Sequence, residues 1–190
     1  MPKVGMEPIR RKSLVEAAIS AIHSKGSIDV TIREIAQRAG VSQGLAHHYF
    51  NNKEDLLLSA MRHLLTEYGR EVRAKLEHAS TPRERLNAII HASLGSEQFR
   101  PETISVWLVF YVHAQESDKA HALLSIYSRR LRSNLTYNLK PLIGERSGIV
   151  AEGVASLIDG LYIRKALGSF PAGMSASELV EDYLKRQIGQ

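Results

Sequence analysis

Between Thr31 and Lys53 the chain reads TIREIAQRAGVSQGLAHHYFNNK, and this stretch concentrates side chains that can meet a polyanion and the edges of stacked bases. Arg33 carries a fork of N–H donors whose geometry suits a guanine edge in a major groove or a phosphate oxygen. Gln43, Gly44, His47 and His48 fall on one outward face of a short helix, where Gln43 and His48 are placed to address base edges. Ser42 and Lys53 suit phosphate oxygens, which position a protein on a duplex without reading its sequence. Thr31 and Tyr49 complete the candidate set. Plainer readings stand beside these: Arg33 is equally an exposed helix charge, and Lys53 a solubilising one.

Such side chains need elements that hold them. Two short helices that cross closely require a small residue at the crossing, and Ala36 is placed for it. A tight turn between them requires a positive backbone angle, which Gly40 adopts without strain. Ile32, Ile35, Ala39 and Val41 line the inner side of the first helix and the turn. Ala46, Tyr49 and Phe50 do so for the second, at helical spacings. Thr31 with Glu34 forms a capping box at the start of the first helix, and Ser42 caps the second. The spacing therefore predicts a helix-turn-helix, whose second helix enters a major groove. An ordinary helical hairpin would share the two helices but not the coincidence of small residue, glycine turn and caps.

Charge agrees with that placement. Of the net +5 on 190 residues, the first 53 hold +4, from eight basic side chains including Lys3, Arg10, Arg11 and Lys12 against four acidic ones. A polyanion contact confined to this end follows. Arg10, Arg11 and Lys12 read as preceding the first helix, where they would hold flanking phosphates or form a solvated tail.

Helical periodicity runs through the remainder. Leu14, Ala17, Ala18, Ala21 and Ile22 form one apolar face that ends at Gly26. A long helix is predicted over 53–78 and another from Pro82 to about Leu94. Further helices are predicted over 102–115, 118–140, 147–167 and 175–187. No segment alternates with period two, so an all-α fold of about nine helices is expected: a three-helix headpiece over 1–52 and a larger helical domain over 53–190 for ligand binding and dimerisation. Ala151, Val154, Ala155 and Ile158 form a small-residue face suited to packing between subunits or inside one.

Composition removes several function classes. There is no cysteine, hence no disulfide framework and no thiolate metal site. The eight histidines are scattered, with no HExxH and no Glu-x-x-His pair, and no nucleophile-elbow sequence occurs. An enzyme is not expected, nor a metal or other cofactor. No apolar run is long enough to span a bilayer, and the N-terminus has no signal-peptide core. A cytoplasmic protein without membrane contact is the expectation.

The headpiece resembles that of the tetracycline-repressor (TetR) family, through Thr31, Ile35, Ala36, Ala39, Gly40, Val41, Ser42, Gly44, Tyr49, Phe50, Lys53 and Leu56. His47 departs from it, standing where the family usually has tyrosine. A histidine still donates to phosphate, but in a tautomer- and pH-dependent way. The opening MPKVGM with Ile9-Arg10-Arg11, the HHYF ending, Ser128–Leu135 and Leu157–Arg164 are similar to the choline-responsive regulators of glycine-betaine synthesis. The resemblance implies a homodimer on an inverted-repeat DNA operator, repressing genes of choline-to-glycine-betaine conversion until its effector binds. The last two helices would form the subunit interface. It also implies a site for a quaternary ammonium. Trp107, Phe110 and Tyr111 on one helix and Tyr162 on a later one are the aromatic candidates, because ring faces attract a cation that accepts no hydrogen bonds. Core packing explains any one of these rings as well, and a sensor of more lipophilic molecules would use aromatics too. An interaction module that has lost DNA binding would not need the +4 headpiece.

Overall fold

The computed structural model describes residues 5–189; Lys3 and the start of the MPKVGM segment lie outside the described residues. Among the described residues there are nine α-helices and no strand: α1 (Met6–Lys25), α2 (Ile32–Arg38), α3 (Gln43–Tyr49), α4 (Lys53–Leu76), α5 (Pro82–Ser93), α6 (Pro101–His113), α7 (Asp118–Ile143), α8 (Ser147–Ala166) and α9 (Ala176–Ile188). A 3-10 turn at Gly144–Arg146 leads into α8. The all-α architecture and the helix order follow the periodicity of the sequence.

Local chemistry sets the starts. The first backbone N–H groups of a helix have no internal acceptor, so side-chain oxygens supply one. Thr31 Oγ1 accepts from the Glu34 amide at 3.1 Å, while the Glu34 carboxylate accepts from the Thr31 amide at 2.6 Å. Thr81 and Glu84 repeat this reciprocal pair at α5, whose first residue is Pro82. Asn52 Oδ1 accepts the Asp55 amide at 2.8 Å and so caps α4.

Helix α1 starts earlier than its apolar face suggests. It begins at Met6, so Arg10, Arg11 and Lys12 lie within its first turns and do not precede it. The early turns expose nearly every side chain, leaving no apolar periodicity from which a sequence reading could place the start.

The chain forms two compact units. The first takes in the described residues up to Leu64 together with Pro101–His121. In it α1 packs on both α2 and α6, burying Leu14, Ala18 and Ile22 of α1, Ile35 and Ala36 of α2, and Ile104 and Trp107 of α6. His23 Nδ1 and Ser105 Oγ, 2.8 Å apart, join α1 to α6. Packing thus groups α6 with the headpiece, although it lies far along the chain.

The second unit holds Leu65–Arg100 and the residues from Ala122 onward. Here α9 packs on α5 and α8. His91 Nε2 meets Glu181 Oε1 at 2.7 Å, Arg85 Nε donates to Asn138 Oδ1 at 3.1 Å, and Arg132 reaches Glu152 at 3.5 Å. Gly153 is required by close approach, since a Cβ there would stand 2.6 Å from the Tyr183 hydroxyl. Ala151, Val154 and Ile158 are fully buried inside this unit, so their face is an intramolecular core; only Ala155 of that set is half-exposed. No helix among the described residues is long and apolar enough to cross a membrane.

Candidate nucleic-acid interface and aromatic clusters

Helices α2 and α3 are joined through Gly40, whose φ of +68° makes the turn that other residues adopt only with strain. The Val41 amide then donates to the Ala36 carbonyl at 3.0 Å, closing the corner. Ile35, Ala36, Ala46 and Phe50 are buried, and Ile32, Ala39, Val41 and Tyr49 half-buried. The apolar residues of this stretch therefore turn inward at helical spacing.

Thr31, Arg33, Ser42, Gln43, Gly44, His47 and His48 are all exposed, while Tyr49 and Lys53 are half-buried. Thr31 and Ser42 spend hydroxyl lone pairs on helix caps, Ser42 Oγ accepting the Leu45 amide at 3.2 Å. Gln43 Nε2 and His47 Nε2 lie 3.4 Å apart on successive turns of α3. His48 meets the Tyr49 ring edge-on, with centroids 5.3 Å apart. Lys53 Nζ rests 3.6 Å from the highly exposed Asp29 carboxylate, an ion pair open to competition from water and salt. Arg33 makes no ion pair among the described residues.

Not every cation of this region is available. Arg38 reaches back to α1, donating to Ser20 Oγ at 2.8 Å and Ser24 Oγ at 3.1 Å. Lys25 pairs with Glu34 at 3.4 Å. The Thr31 amide and hydroxyl, with Lys25 adding to them, hold the Glu34 carboxyl below the usual glutamate range. The Arg11 guanidinium sits 4.9 Å from the centroid of the Phe50 ring, a cation–π contact pinning α1 to the end of α3. This role for Arg11 was not legible in sequence, because it requires knowing that α1 starts before it.

The aromatic candidates fall in two groups, one in each unit. In the first unit Trp107 and Phe110 are buried and Tyr111 half-buried; the Trp107 and Tyr111 rings are 5.7 Å apart and tilted by 37°. Phe110 meets the His113 ring edge-on at 6.3 Å. In the second unit Tyr162 is buried beside Phe99, with centroids 5.5 Å apart, and Phe99 meets Phe170 at 6.5 Å. Tyr68 meets Tyr127 edge-on at 5.6 Å.

Ser93 links the second group. Tyr162 donates its hydroxyl proton to the Ser93 carbonyl, and Tyr68 Oη lies 3.0 Å from Ser93 Oγ. Burial pushes Tyr68 up to about 12, and raises Tyr162 as well, with Tyr68, Asp159 and Glu71 adding negative charge nearby. Glu71, one turn beyond Tyr68, is raised by burial despite Lys75. Its Oε1 stands 3.1 Å from where a side chain at Gly95 would begin. Tyr68, Phe99 and Glu71 carried no sequence signal. Tyr68 sits on a long helix among ordinary core positions, and Phe99 in a short connection with no period of its own.

A glycine-turned pair of capped helices, with an outer face of amide, imidazole, hydroxyl and guanidinium groups, defines a helix-turn-helix reader of double-stranded DNA. Comparisons agree. Residues 14–60 match the model for bacterial regulatory proteins of the tetR family, and residues 82–189 match the BetI-type transcriptional repressor C-terminal model. The HTH-type transcriptional regulator BetI of Brucella suis is 53% identical over 190 residues, spanning 99% of this chain and 96% of that protein. The regulator of that name from Agrobacterium fabrum is 54% identical, spanning 99% and 92%. A transcriptional regulator of Pseudomonas aeruginosa PAO1 shares the fold at a TM-score of 0.82 and 23% identity, covering 95% of this chain and 91% of that one. A Saccharomonospora viridis regulator, solved in complex with choline, does so at 0.79 and 23%, covering 96% of each chain. This chain belongs to the TetR family of bacterial transcriptional regulators, and within it to the BetI-type repressors.

Proposed function

We propose that this cytoplasmic repressor holds genes of choline-to-glycine-betaine conversion silent and releases them when choline binds, with residues 1–52 as the reader and 53–190 as the sensing and dimerising region. The observation that carries the reading is the BetI-type match over 82–189, and aromatic ring faces are the chemistry that suits a quaternary ammonium. The choline bound to the Saccharomonospora viridis regulator supports the same ligand chemistry on this fold. Trp107, Phe110 and Tyr111 form one proposed set of ring contacts. Tyr162 belongs to another, in which Tyr68, Phe99 and Tyr127 join it.

The reader contacts DNA through Thr31, Arg33, Ser42, Gln43, Gly44, His47, His48, Tyr49 and Lys53. A single headpiece reads few base pairs, so a two-fold dimer on an inverted repeat is the arrangement proposed. Its surface is the exposed stripe of α8: Ile149 is 74% exposed, Ile163 46%, and Leu167, just past the helix end, 75%. These residues with Glu152, Ser156 and Asp159 recur at spacings of three and four, the period of a helix seam. Ile149→Arg should give monomers by light scattering; an unchanged dimer would move the interface elsewhere.

Choline can weaken operator binding only by binding the DNA-incompetent arrangement more tightly. Operator binding titrated with choline, in parallel with 3,3-dimethylbutan-1-ol as its uncharged isostere, tests the reading. Release by choline alone is the expected result. Equal release by both would overturn the cation site, and release only by bulky lipophilic cations would assign the protein a different effector.

A further inference from the structure

Glu54 lies in the first turn of α4, four residues beyond the buried Phe50 that ends the reading helix. A carboxylate there already suits the positive end of a helix. It does more than that, because both its oxygens are taken by the start of another helix within the same unit. Ser117 Oγ donates to Oε1 at 2.8 Å, and Lys119 Nζ donates to Oε2 at 3.3 Å. Ser117 is also the cap of α7, its Oγ accepting the Ala120 amide at 3.3 Å. One hydroxyl thus receives the Ala120 amide in the first turn of α7 and gives its proton to the first turn of α4. These two donors hold the Glu54 carboxyl below the usual glutamate range, with His113 at the end of α6 contributing a lesser attraction.

Lys119 is 63% exposed and Glu54 36%, so the pair adds little to folding stability. What it fixes is geometry. Asn52 caps α4, only Phe50 to Asn52 separate α3 from α4, and Phe50 is held by Arg11. The start of α4 therefore sets the base from which α3 projects.

We propose that Glu54 is a positioning residue for operator binding: clasped by Ser117 and Lys119, it holds the α3–α4 corner, and hence the reading helix, in the DNA-competent orientation. The proposal rests on the reading of this chain as a DNA-binding repressor.

The sign of one substitution separates this role from simple electrostatics. Glu54→Gln removes a negative charge from a protein that binds a polyanion, so charge alone would raise affinity for every duplex or leave it unchanged. A positioning role predicts the reverse for operator alone: a fall of about tenfold, with affinity for unrelated duplex unchanged. Ser117→Ala should show the same selective loss, and adding it to Glu54→Ala, which lacks both bonds of the clasp, should weaken operator binding no further. Circular-dichroism melts identify any variant that fails to fold, and Glu54→Asp gives a conservative arm, expected to recover part of the loss. Operator affinity unchanged or raised in folded Glu54→Gln, or a further loss when Ser117→Ala is added to Glu54→Ala, would overturn the proposal. Absence of operator binding by the unmodified protein would instead overturn the repressor reading.

Discussion

The Tyr68 hydroxyl and Ser93 Oγ stand 3.0 Å apart, and Tyr68 is the donor, because Ser93 gives its own proton to the Ile89 carbonyl at 2.8 Å. The buried Tyr162 and the half-buried Tyr68 therefore converge on one serine, Tyr162 using its carbonyl and Tyr68 its hydroxyl. Ser93→Ala strands the Tyr68 proton and should destabilise the protein by about 1–3 kcal/mol. Adding Tyr68→Phe removes the stranded group and should recover part of that loss. Urea unfolding of the two single variants and the double one measures the coupling; strictly additive losses would mean the bond is not formed.

The same tyrosine predicts an alkaline limit. Burial raises Tyr68 from an ordinary value of 10.0 to about 12, so the unfolded chain loses this proton first. A group raised in the folded state contributes stability that is whole below the unfolded value and is lost as pH rises through the folded one. Stability should thus decline between pH 10 and 12, and less steeply in Tyr68→Phe. Melting temperatures across that range check it.

Acid acts through the capping boxes. The Thr31 amide holds Glu34 low, and the Thr81 and Ser80 amides hold Glu84 low. The stabilisation is present above the ordinary glutamate range and is lost as pH falls through the depressed folded values. Thr81→Ala removes one half of a box and should cost about 1 kcal/mol at neutral pH. Glu84→Gln should differ from the unmodified protein at neutral pH and approach it at acidic pH, where the unmodified protein loses its ionised cap; melts at the two pH values check this.

On DNA, the exposed residues of α2 and α3 should divide by role. Lys53→Ala should weaken all duplexes alike and flatten the salt dependence, since a lost phosphate contact releases fewer counterions. Arg33→Ala and Gln43→Ala should each cost about 1–3 kcal/mol on operator and blur discrimination among sequences. Gel shifts at two salt concentrations with operator and scrambled duplex decide it. Uniform loss for Arg33→Ala would make it a phosphate contact.

How much of this was legible beforehand follows from the range of each interaction. The headpiece was readable because its determinants are local: the Thr31–Glu34 box, the Gly40 turn and the inward Ile35, Ala36, Ala46 and Phe50 lie within twenty residues. The same is true of Pro82 and Thr81 at α5. Partners distant in sequence were not readable. Ser117 on Glu54, Tyr68 on Ser93 and Arg11 on Phe50 join residues whose separations follow no helical period. The face of Ala151, Val154 and Ile158 marks a further limit, since small residues at helical spacing look alike whether they pack within a subunit or between two.

Recognition of the effector's charge asks for more than aromatic rings. Ring faces attract a quaternary ammonium but give modest discrimination against an uncharged molecule of the same shape. A carboxylate adds the discrimination, provided it is partly removed from water. Glu71 meets that condition: it is half-buried, burial raises its carboxyl above the usual range, and its charge is felt at the buried Tyr162. Ionised, it is destabilised by the desolvation that a bound cation would offset. Glu71→Gln keeps the shape and removes the charge, and should weaken choline binding by about fivefold while leaving the uncharged isostere unchanged. Because its folded value is raised, Glu71 takes up a proton earlier than an ordinary glutamate as pH falls, so choline affinity should decline on acidification in the unmodified protein and not in Glu71→Gln. Calorimetric titration of both ligands at two pH values tests this. Equal choline affinity in Glu71→Gln at neutral pH would leave cation recognition to the rings alone.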